Sequence, residues 1–318
     1  MPNDSRATKA QRQAAARARA AELRRQQERT AKRNRFIAIG AAVLVVIVVV
    51  VTIGVVVIQN HRSSIRYASV SYGGADSESQ YLVRPNLSAV KAPSAANSTG
   101  GIPVSANGVG KEGSGSTVLQ VYFDLQCPGC AQVDSVNAAD LQTLSQEQGI
   151  TVVYQPLDIL NRFSQGTRYS SRAGNAAMVV ADQDPHDFPN FITALYAKQP
   201  TENSNGLPDS QIASIASSVG VPQTVIDQFT ATVSGTYQLK DNNGTTDHTG
   251  TWRTFTPFLA AAIQQASQQP WFANGVQTPT IVLNGTQIGA GGSDGVSLGA
   301  AGSLKSYVEK VNSQAASQ

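Results

Sequence analysis

The chain has 318 residues, 41% of them hydrophobic, a formal net charge of +3 and two cysteines. That length suits one large domain or two smaller ones, and two cysteines exclude both a disulfide-dense secreted scaffold and a zinc site of four sulfur ligands. The small net charge hides a division: residues 1–35 carry eleven Lys or Arg against Asp4, Glu22 and Glu28, whereas residues 59–318 carry thirteen cations against eighteen anions.

Between these parts, Phe36 to Ile58 is an uncharged run of 23 residues, mostly Val, Ile, Ala and Gly. About 20 apolar residues at ~1.5 Å each cross the hydrocarbon core of a bilayer. A core helix of this length would keep a polar face, so residues 36–58 are expected to span the lipid bilayer as a single transmembrane helix. Valine favours strand, but in lipid a lone segment satisfies its backbone only as a helix. The competing reading is a cleaved signal peptide, whose apolar region is usually about 7–15 residues and ends at a small-residue cleavage site. Ile58-Gln59-Asn60-His61-Arg62 offers no such site, which favours an uncleaved anchor. Lys32, Arg33 and Arg35 abut its N-terminal side. By the positive-inside rule, residues 1–35 form a basic cytoplasmic tail and everything after residue 59 lies outside. The tail lacks aromatics interleaved with its cations, so nucleic acid is not expected as a partner. Its charge suits topology and contact with anionic headgroups.

Residues 59–115 are rich in Ser, Gly, Asn and Ala, with Pro85, Pro93 and Pro103 interspersed. This composition reads as an extracytoplasmic flexible linker, in which Ile102-Pro103-Val104 could make a small hairpin. A folded domain is expected over 116–318. Thr117 to Phe123 is a mostly apolar run, as in a buried central strand, and ends at Asp124. Cys127-Pro128-Gly129-Cys130 follows, then a helix with Ala131, Val133, Val136, Leu141 and Leu144 that stops at Gly149, and a second strand from Ile150 to Tyr154. That unit suits a right-handed parallel crossover. The next strand-like segment is Thr280 to Leu283, so a helical subdomain is expected as an insertion over about 160–270. Helical patches fall at 168–181, 186–197, 209–219, 222–233 and 254–268, while 235–253 reads as a long loop. Asn284-Gly285 signals a hairpin turn, and a final helix is expected around 300–313.

The chemistry concentrates at Cys127 and Cys130. The thiolate is the nucleophile of disulfide exchange, and a free cysteine has a pKa of about 8.5. At a helix N-terminus, Cys127 meets unpaired N–H groups and the positive end of the macrodipole, both of which favour the anion. Pro128 suits the first helical turn, where its missing N–H costs nothing. Two intervening residues let Cys130 reach back to close a small ring. A zinc pair would need two further ligands, and His61, His186 and His248 lack ligand spacing; no metal and no separate cofactor are expected. A purely structural disulfide would close only four residues and gain little. Unrelated buried thiols would be unusual at a helix start outside the cell. The remaining reading is a redox-active pair.

Cys127-Pro128-Gly129-Cys130 after a strand ending Phe123-Asp124, an inserted helical segment, and Thr278-Pro279-Thr280-Ile281-Val282-Leu283-Asn284-Gly285 together resemble the thioredoxin fold. More narrowly they resemble DsbA-type thiol–disulfide oxidoreductases in the membrane-anchored form common in actinobacteria, over roughly residues 100–315. The resemblance implies an α/β thioredoxin fold with a helical insertion, preceded by one transmembrane helix. It implies that Cys127 is the exposed attacking residue and Cys130 the resolving one. Pro279 is then cis and beside the CxxC, with Thr278 offering backbone hydrogen bonds to a client strand. The expected activity is oxidation of cysteine pairs in exported proteins, with a DsbB- or VKOR-like membrane partner restoring the disulfide. A reductase or isomerase using the same site, or a non-catalytic binding module, is the alternative. DsbA proper has His where this chain has Gly129, which implies a less depressed Cys127 pKa and a weaker oxidant here. Asp124 either relays a proton or simply ends the strand. Arg168, Arg172 and Trp252 are candidate surface features of a client groove, against plainer roles in helix packing and solvation.

Overall fold

The computed structural model describes residues 9–289 and 294–317, so the first eight residues of the basic tail lie outside it. The chain divides into two units, Met1–Gln59 and Asn60–Gln318. In the first, helix α1 (Lys9–Arg66, running on into the second unit) contains the apolar run. Its window of highest mean hydropathy, 3.4, has none of its residues buried within the protein. By length and composition it can cross a membrane. An apolar surface of that extent left in water would forfeit the hydrophobic term on every turn, and lipid removes the penalty.

The second unit is built on a six-stranded sheet. Strands β1 (Leu82–Val83), β2 (Ile102–Ser105) and β3 (Gly108–Val109) precede the central strand β4 (Thr117–Phe123). Helix α2 (Pro128–Gln146) and strand β5 (Ile150–Pro156) follow. An inserted region then runs through α3 (Tyr169–Gln183), α4 (Phe188–Ala197), α5 (Asp209–Ser218), α6 (Gln223–Ile226), β6 (Thr232–Asp241), β7 (Gly244–Arg253) and α7 (Thr256–Ser267). Strands β8 (Thr280–Leu283) and β9 (Thr286–Ile288) and helix α8 (Ser303–Ala316) complete it. The strand order is β3-β2-β5-β4-β8-β9. Strand β4 runs parallel to β5 and antiparallel to β8, the crossover that the strand–CxxC–helix–strand unit predicts.

Side-chain alternation along the strands divides the core. Leu119, Val121 and Phe123 of β4, with Ile281 and Leu283 of β8, face one layer with Leu141 and Leu144 of α2 and Leu304 and Val308 of α8. Tyr122 and Val282 point the other way, into a smaller cluster with Ala262, Ile263 and Phe272.

Residues 67–115 are not the flexible linker that their composition suggests. Ile102, Pro103 and Val104 pair with Tyr154, Val153 and Val152, so β2 is a strand of the main sheet, and with β3 it forms the small hairpin. The glycines here serve close approach. A Cβ on Gly101 would lie 2.3 Å from Val153 Cγ1, and one on Gly115 would lie 2.2 Å from the Gly149 Cα. The segment just after α1 is held by polar groups. Ser71 Oγ lies 2.6 Å from Ser171 Oγ, Arg168 Nη1 donates to Gly74 O at 2.6 Å, and the Arg253 amide donates to Val70 O at 3.0 Å.

A second correction concerns 235–253, which is a long antiparallel hairpin and not a loop. Asp241 pairs with Gly244 around a two-residue Asn242-Asn243 turn, and Leu82 of β1 pairs with Leu239 to add a third strand. The turn chemistry and the alternating Thr, Val and Tyr of β6 were the available signal. The helices of the insertion are therefore interrupted between Ile226 and Thr256 by β6 and β7, and the helical patch at 222–233 shrinks to α6. Arg168, Arg172 and Trp252 are no surface features: all three are buried, at 4%, 1% and 4% exposure.

The Arg172 guanidinium donates to Thr167 O, Leu207 O and Asp209 Oδ1, and Arg253 donates to both oxygens of Asp209. Burial pushes the Asp209 carboxyl up, but the hydrogen bond and charge of Arg253, with help from Arg172, outweigh it and hold the pKa below the usual range. That depressed value stabilises the fold above the ordinary aspartate pKa of ~3.9, and the gain is lost as pH falls through the lowered one. Asp209→Ala leaves Arg172 buried without its counter-ion. We expect a loss of about 2 kcal/mol at pH 7, discounted for the partial exposure of Asp209, and a flatter acid limb. Urea unfolding of the full chain from pH 3 to 7 measures both.

Candidate active site

The last residue of β4 is Phe123, and the chain turns at Asp124-Leu125-Gln126 into α2, with Cys127 as its N-cap. Cys127 has extended backbone (φ −77°, ψ 115°), and its sulfur accepts from the Cys130 amide at 3.3 Å. Pro128 opens the helix, where no amide is needed. On the other side comes the segment before β8. Thr278-Pro279 is a cis peptide, and the Cys127 thiol donates to Thr278 O at 3.3 Å. The Thr278 hydroxyl is buried with no hydrogen-bond partner. Gly129 closes the arrangement, since a Cβ there would stand 3.1 Å from Pro279 Cδ and 3.9 Å from Cys127 Sγ. The structure thus brings together all six residues expected at the redox centre and its client platform: Cys127, Pro128, Gly129, Cys130, Thr278 and Pro279.

The two thiols are unbridged and electrostatically unequal. The Cys130 thiol and the amides of Cys130 and Gly129 stabilise the Cys127 anion, the Thr278 side chain beside it adds to this, and together they outweigh burial and lower its pKa to about 6. That falls between the ~8.5 of a free thiol and the ~3.5 of the strongest disulfide oxidants. Cys130 moves the other way: burial and the facing Cys127 anion push it well above 9. Cys127 is less open than the resemblance implies, being 5% exposed against 3% for Cys130. The cis-proline segment covers one side, and Gln199 Nε2 donates to Leu125 O and Cys127 O at 3.0 and 2.9 Å on another.

Asp124 is fully buried and accepts three hydrogen bonds, from the Gln126 amide (2.8 Å), Ser170 Oγ (2.8 Å) and the Leu160 amide (3.0 Å). Burial raises its pKa to about 7 against those bonds. The carboxyl ties the end of β4 to the loop after β5 and to α3. Two polar groups near the site carry no local sequence signal. Gln199 lies 72 residues from Cys127, and Tyr196, whose hydroxyl donates to Asp124 O at 3.3 Å, is equally remote. Asp134 was findable in principle, since it stands four residues after Cys130 on the same helix and so on the same face. Among the described residues, no group of three or more His, Cys, Asp or Glu could hold a metal ion.

The thioredoxin family matches residues 109–297. Among curated proteins, the serine/threonine-protein kinase PknE of Mycobacterium tuberculosis is 30% identical over 148 residues, covering 45% of this chain and 26% of the kinase. The chain thus matches about a quarter of the length of these curated relatives. Among solved structures, oxidised DsbA of Mycobacterium tuberculosis is similar at 22% identity and a TM-score of 0.43, over 59% of this chain and 84% of that one. MdbA of Corynebacterium diphtheriae, a thiol–disulfide oxidoreductase, is similar at 18% identity and a TM-score of 0.47, over 70% and 95%.

In the reduced full chain, thiolate ultraviolet absorbance is expected to titrate with a midpoint near 6, and Cys127→Ser removes that step. The folded pKa lies below the ~8.5 of the unfolded thiol. The reduced form therefore gains stability as pH rises from about 6 to about 8.5, and loses that gain as pH falls through 6. Thermal unfolding of reduced and oxidised protein across this window checks the sign; parallel curves would contradict it.

Proposed function

The chain belongs to the thioredoxin family, matched over residues 109–297, and on that premise we propose that it is a membrane-anchored thiol–disulfide oxidoreductase working outside the cytoplasm. One observation carries the reading: adjacent sulfurs on one helical turn have oppositely shifted acidities, Cys127 lowered to about 6 and Cys130 raised. A structural pair has no use for that asymmetry, whereas disulfide exchange needs one sulfur that attacks or leaves readily and one that stays protonated until called upon.

The reaction we favour is oxidation of cysteine pairs in exported proteins. A client thiolate attacks Cys127 Sγ of the oxidised pair, the Cys127–Cys130 bond breaks, and Cys130 takes up a proton. A second client thiolate then attacks the client sulfur of the mixed disulfide, and Cys127 leaves as its stabilised anion. Two electrons pass from the client dithiol to the enzyme pair. Thr278 and Pro279 flank Cys127 and serve as the platform on which an extended client segment lies. The cysteine pair is itself the redox group, so no further cofactor is invoked. A low Cys127 pKa stabilises the reduced enzyme and so drives oxidation of the client. Regeneration falls to a DsbB- or VKOR-like membrane partner. Residues 36–58 anchor the chain in the bilayer with the basic tail in the cytoplasm, which confines enzyme, partner and emerging client to one surface.

The redox state of the Cys127–Cys130 pair in the membrane fraction tests the direction. An oxidase keeps it mostly oxidised; a mostly reduced pair points to a reductase or isomerase running the same site in reverse. Cys127→Ser is expected to abolish oxidative refolding of a reduced client, and Cys130→Ser to accumulate mixed disulfides through Cys127. Undiminished refolding by Cys127→Ser would end the redox reading and leave a binding module.

A further inference from the structure

The turn from β4 into α2 is short, and its middle residues Leu125 and Gln126 are both buried. Its backbone polar atoms therefore need partners inside the protein. One side of the turn is tied to α3 and to the loop after β5 through the Asp124 carboxyl and its bonds from Ser170 and Leu160. The other side is tied to the end of α4. There the Tyr196 hydroxyl donates to Asp124 O at 3.3 Å, and Gln199 Nε2 donates to Leu125 O at 3.0 Å and to Cys127 O at 2.9 Å.

A rigid element delivers the Gln199 side chain. Phe188, Phe191, Ile192 and Leu195 fix α4 in the core, and the Gln199 backbone amide donates to Tyr196 O at 3.0 Å, which closes the last turn. Tyr196 and Gln199 stand three residues apart, so their side chains leave one face and meet successive carbonyls of the turn. A carboxamide nitrogen has two N–H groups and no more. Both are used here, one on the peptide before Gln126 and one on the peptide after Cys127.

Those two peptides bracket the residue that carries the reactive sulfur. Cys127 caps α2 with extended backbone, φ −77° and ψ 115°, and the Cys130 amide stands 3.3 Å from its Sγ. Rotation about that ψ would turn the Cys127 carbonyl and swing the first-turn amides away from the sulfur. The carbonyl accepts the Cys130 and Ala131 amides at 3.1 and 3.2 Å, and Gln199 adds a third donor from outside the helix, which opposes the rotation. We propose that Gln199 is a positioning residue of the redox reaction: by clamping the carbonyls of Leu125 and Cys127 it holds the Cys127 sulfur on the amides of the first turn and so sets how readily that sulfur leaves as an anion. The inference rests on the thiol–disulfide reading above. When a mixed disulfide is resolved, its bonding electron pair departs with Cys127 Sγ, so the hold on that anion enters the equilibrium of the step.

The groups that face Cys127 leave this effect readable. Cys130 on the same helix is pushed well above 9 by burial and the facing sulfur, and Tyr196 on α4 is raised by burial, so both keep their protons where Cys127 ionises. Asp124, raised to about 7 by burial, is common to the wild type and the variants below. Gln199 carries no charge and is partly exposed, so replacing it creates neither a buried ion nor a core cavity.

The test uses detergent-solubilised full-length protein, with two readouts: thiolate absorbance of the reduced form against pH, and the equilibrium with glutathione at pH 8. Gln199→Leu removes both donors and adds no charge. It is expected to move the thiolate midpoint above the wild-type value near 6, weakening the ionisation by about 5-fold, the net worth of one ordinary hydrogen bond. The same loss falls on the reduced enzyme, so the glutathione equilibrium shifts about 5-fold toward oxidised enzyme, or about 20 mV. Gln199→Glu has the same shape, offers no donor as a carboxylate and brings a negative charge to the two carbonyls, so its midpoint rises further; this variant decides the matter should Gln199→Leu fail to fold. A purely structural clamp would lower the urea midpoint of the variants and leave the thiolate midpoint and the glutathione equilibrium where they are, which overturns the proposal. So does a Gln199→Glu midpoint at or below that of the wild type. A wild type that shows no thiolate step and does not equilibrate with glutathione sinks the thiol–disulfide reading itself, an outcome distinct from these.

Discussion

The site depends on holding a sulfur anion at the start of a helix. Cys127 caps α2, with amides of the first turn directed at its sulfur and Pro128 removing the one amide that would have no role. A thiolate there is stabilised by dipoles already fixed in place, so little reorganisation accompanies the change of charge. Cys130 shifts the opposite way, because the helix buries it one turn on and the Cys127 sulfur faces it, and both outweigh the backbone of Asp124 and the side chain of Thr278.

Everything around the pair keeps that helix end and the cis-proline segment in register. Strand β4 is central in the sheet, parallel to β5 and antiparallel to β8, so the CxxC at its C-terminal end and Thr278-Pro279 at the start of β8 arrive at the same edge. Buried Asp124 fixes the turn between β4 and α2 through Leu160 and Ser170, and Gln199 ties the inserted region to the backbone of Leu125 and Cys127. These are neutral or singly charged groups with their hydrogen bonds made, which is what allows polar atoms to lie beside a reactive sulfur without destabilising the core.

The packing of residues 67–115 brings the folded domain close to the apolar run in sequence. With Val70, Gly74 and Ile102 bound into the domain, only residues 59–66 separate the apolar run from chain that is held in place.

Local signals were sufficient wherever the physics is local. The apolar run at 36–58, the buried strand at 117–123, the CxxC at a helix start and the Asn284-Gly285 turn each declare themselves within a few residues, because length, alternation and capping act over one or two turns. The failures came from composition. A Ser, Gly and Asn-rich stretch reads as flexible, yet Gly101 and Gly115 are small because Val153 and Gly149 press against them. Arg172 reads as a surface cation, yet Asp209 lies 37 residues away and makes burial tolerable. The sequence alone therefore determined the chemistry available to this protein: one dithiol, at one helix end, after one apolar run long enough to cross a membrane. Only the tertiary structure decided which groups surround that dithiol. The Thr278 carbonyl and the Gln199 amide reach the pair through folding, and the desolvation that raises Cys130 exists only once the core has closed over it.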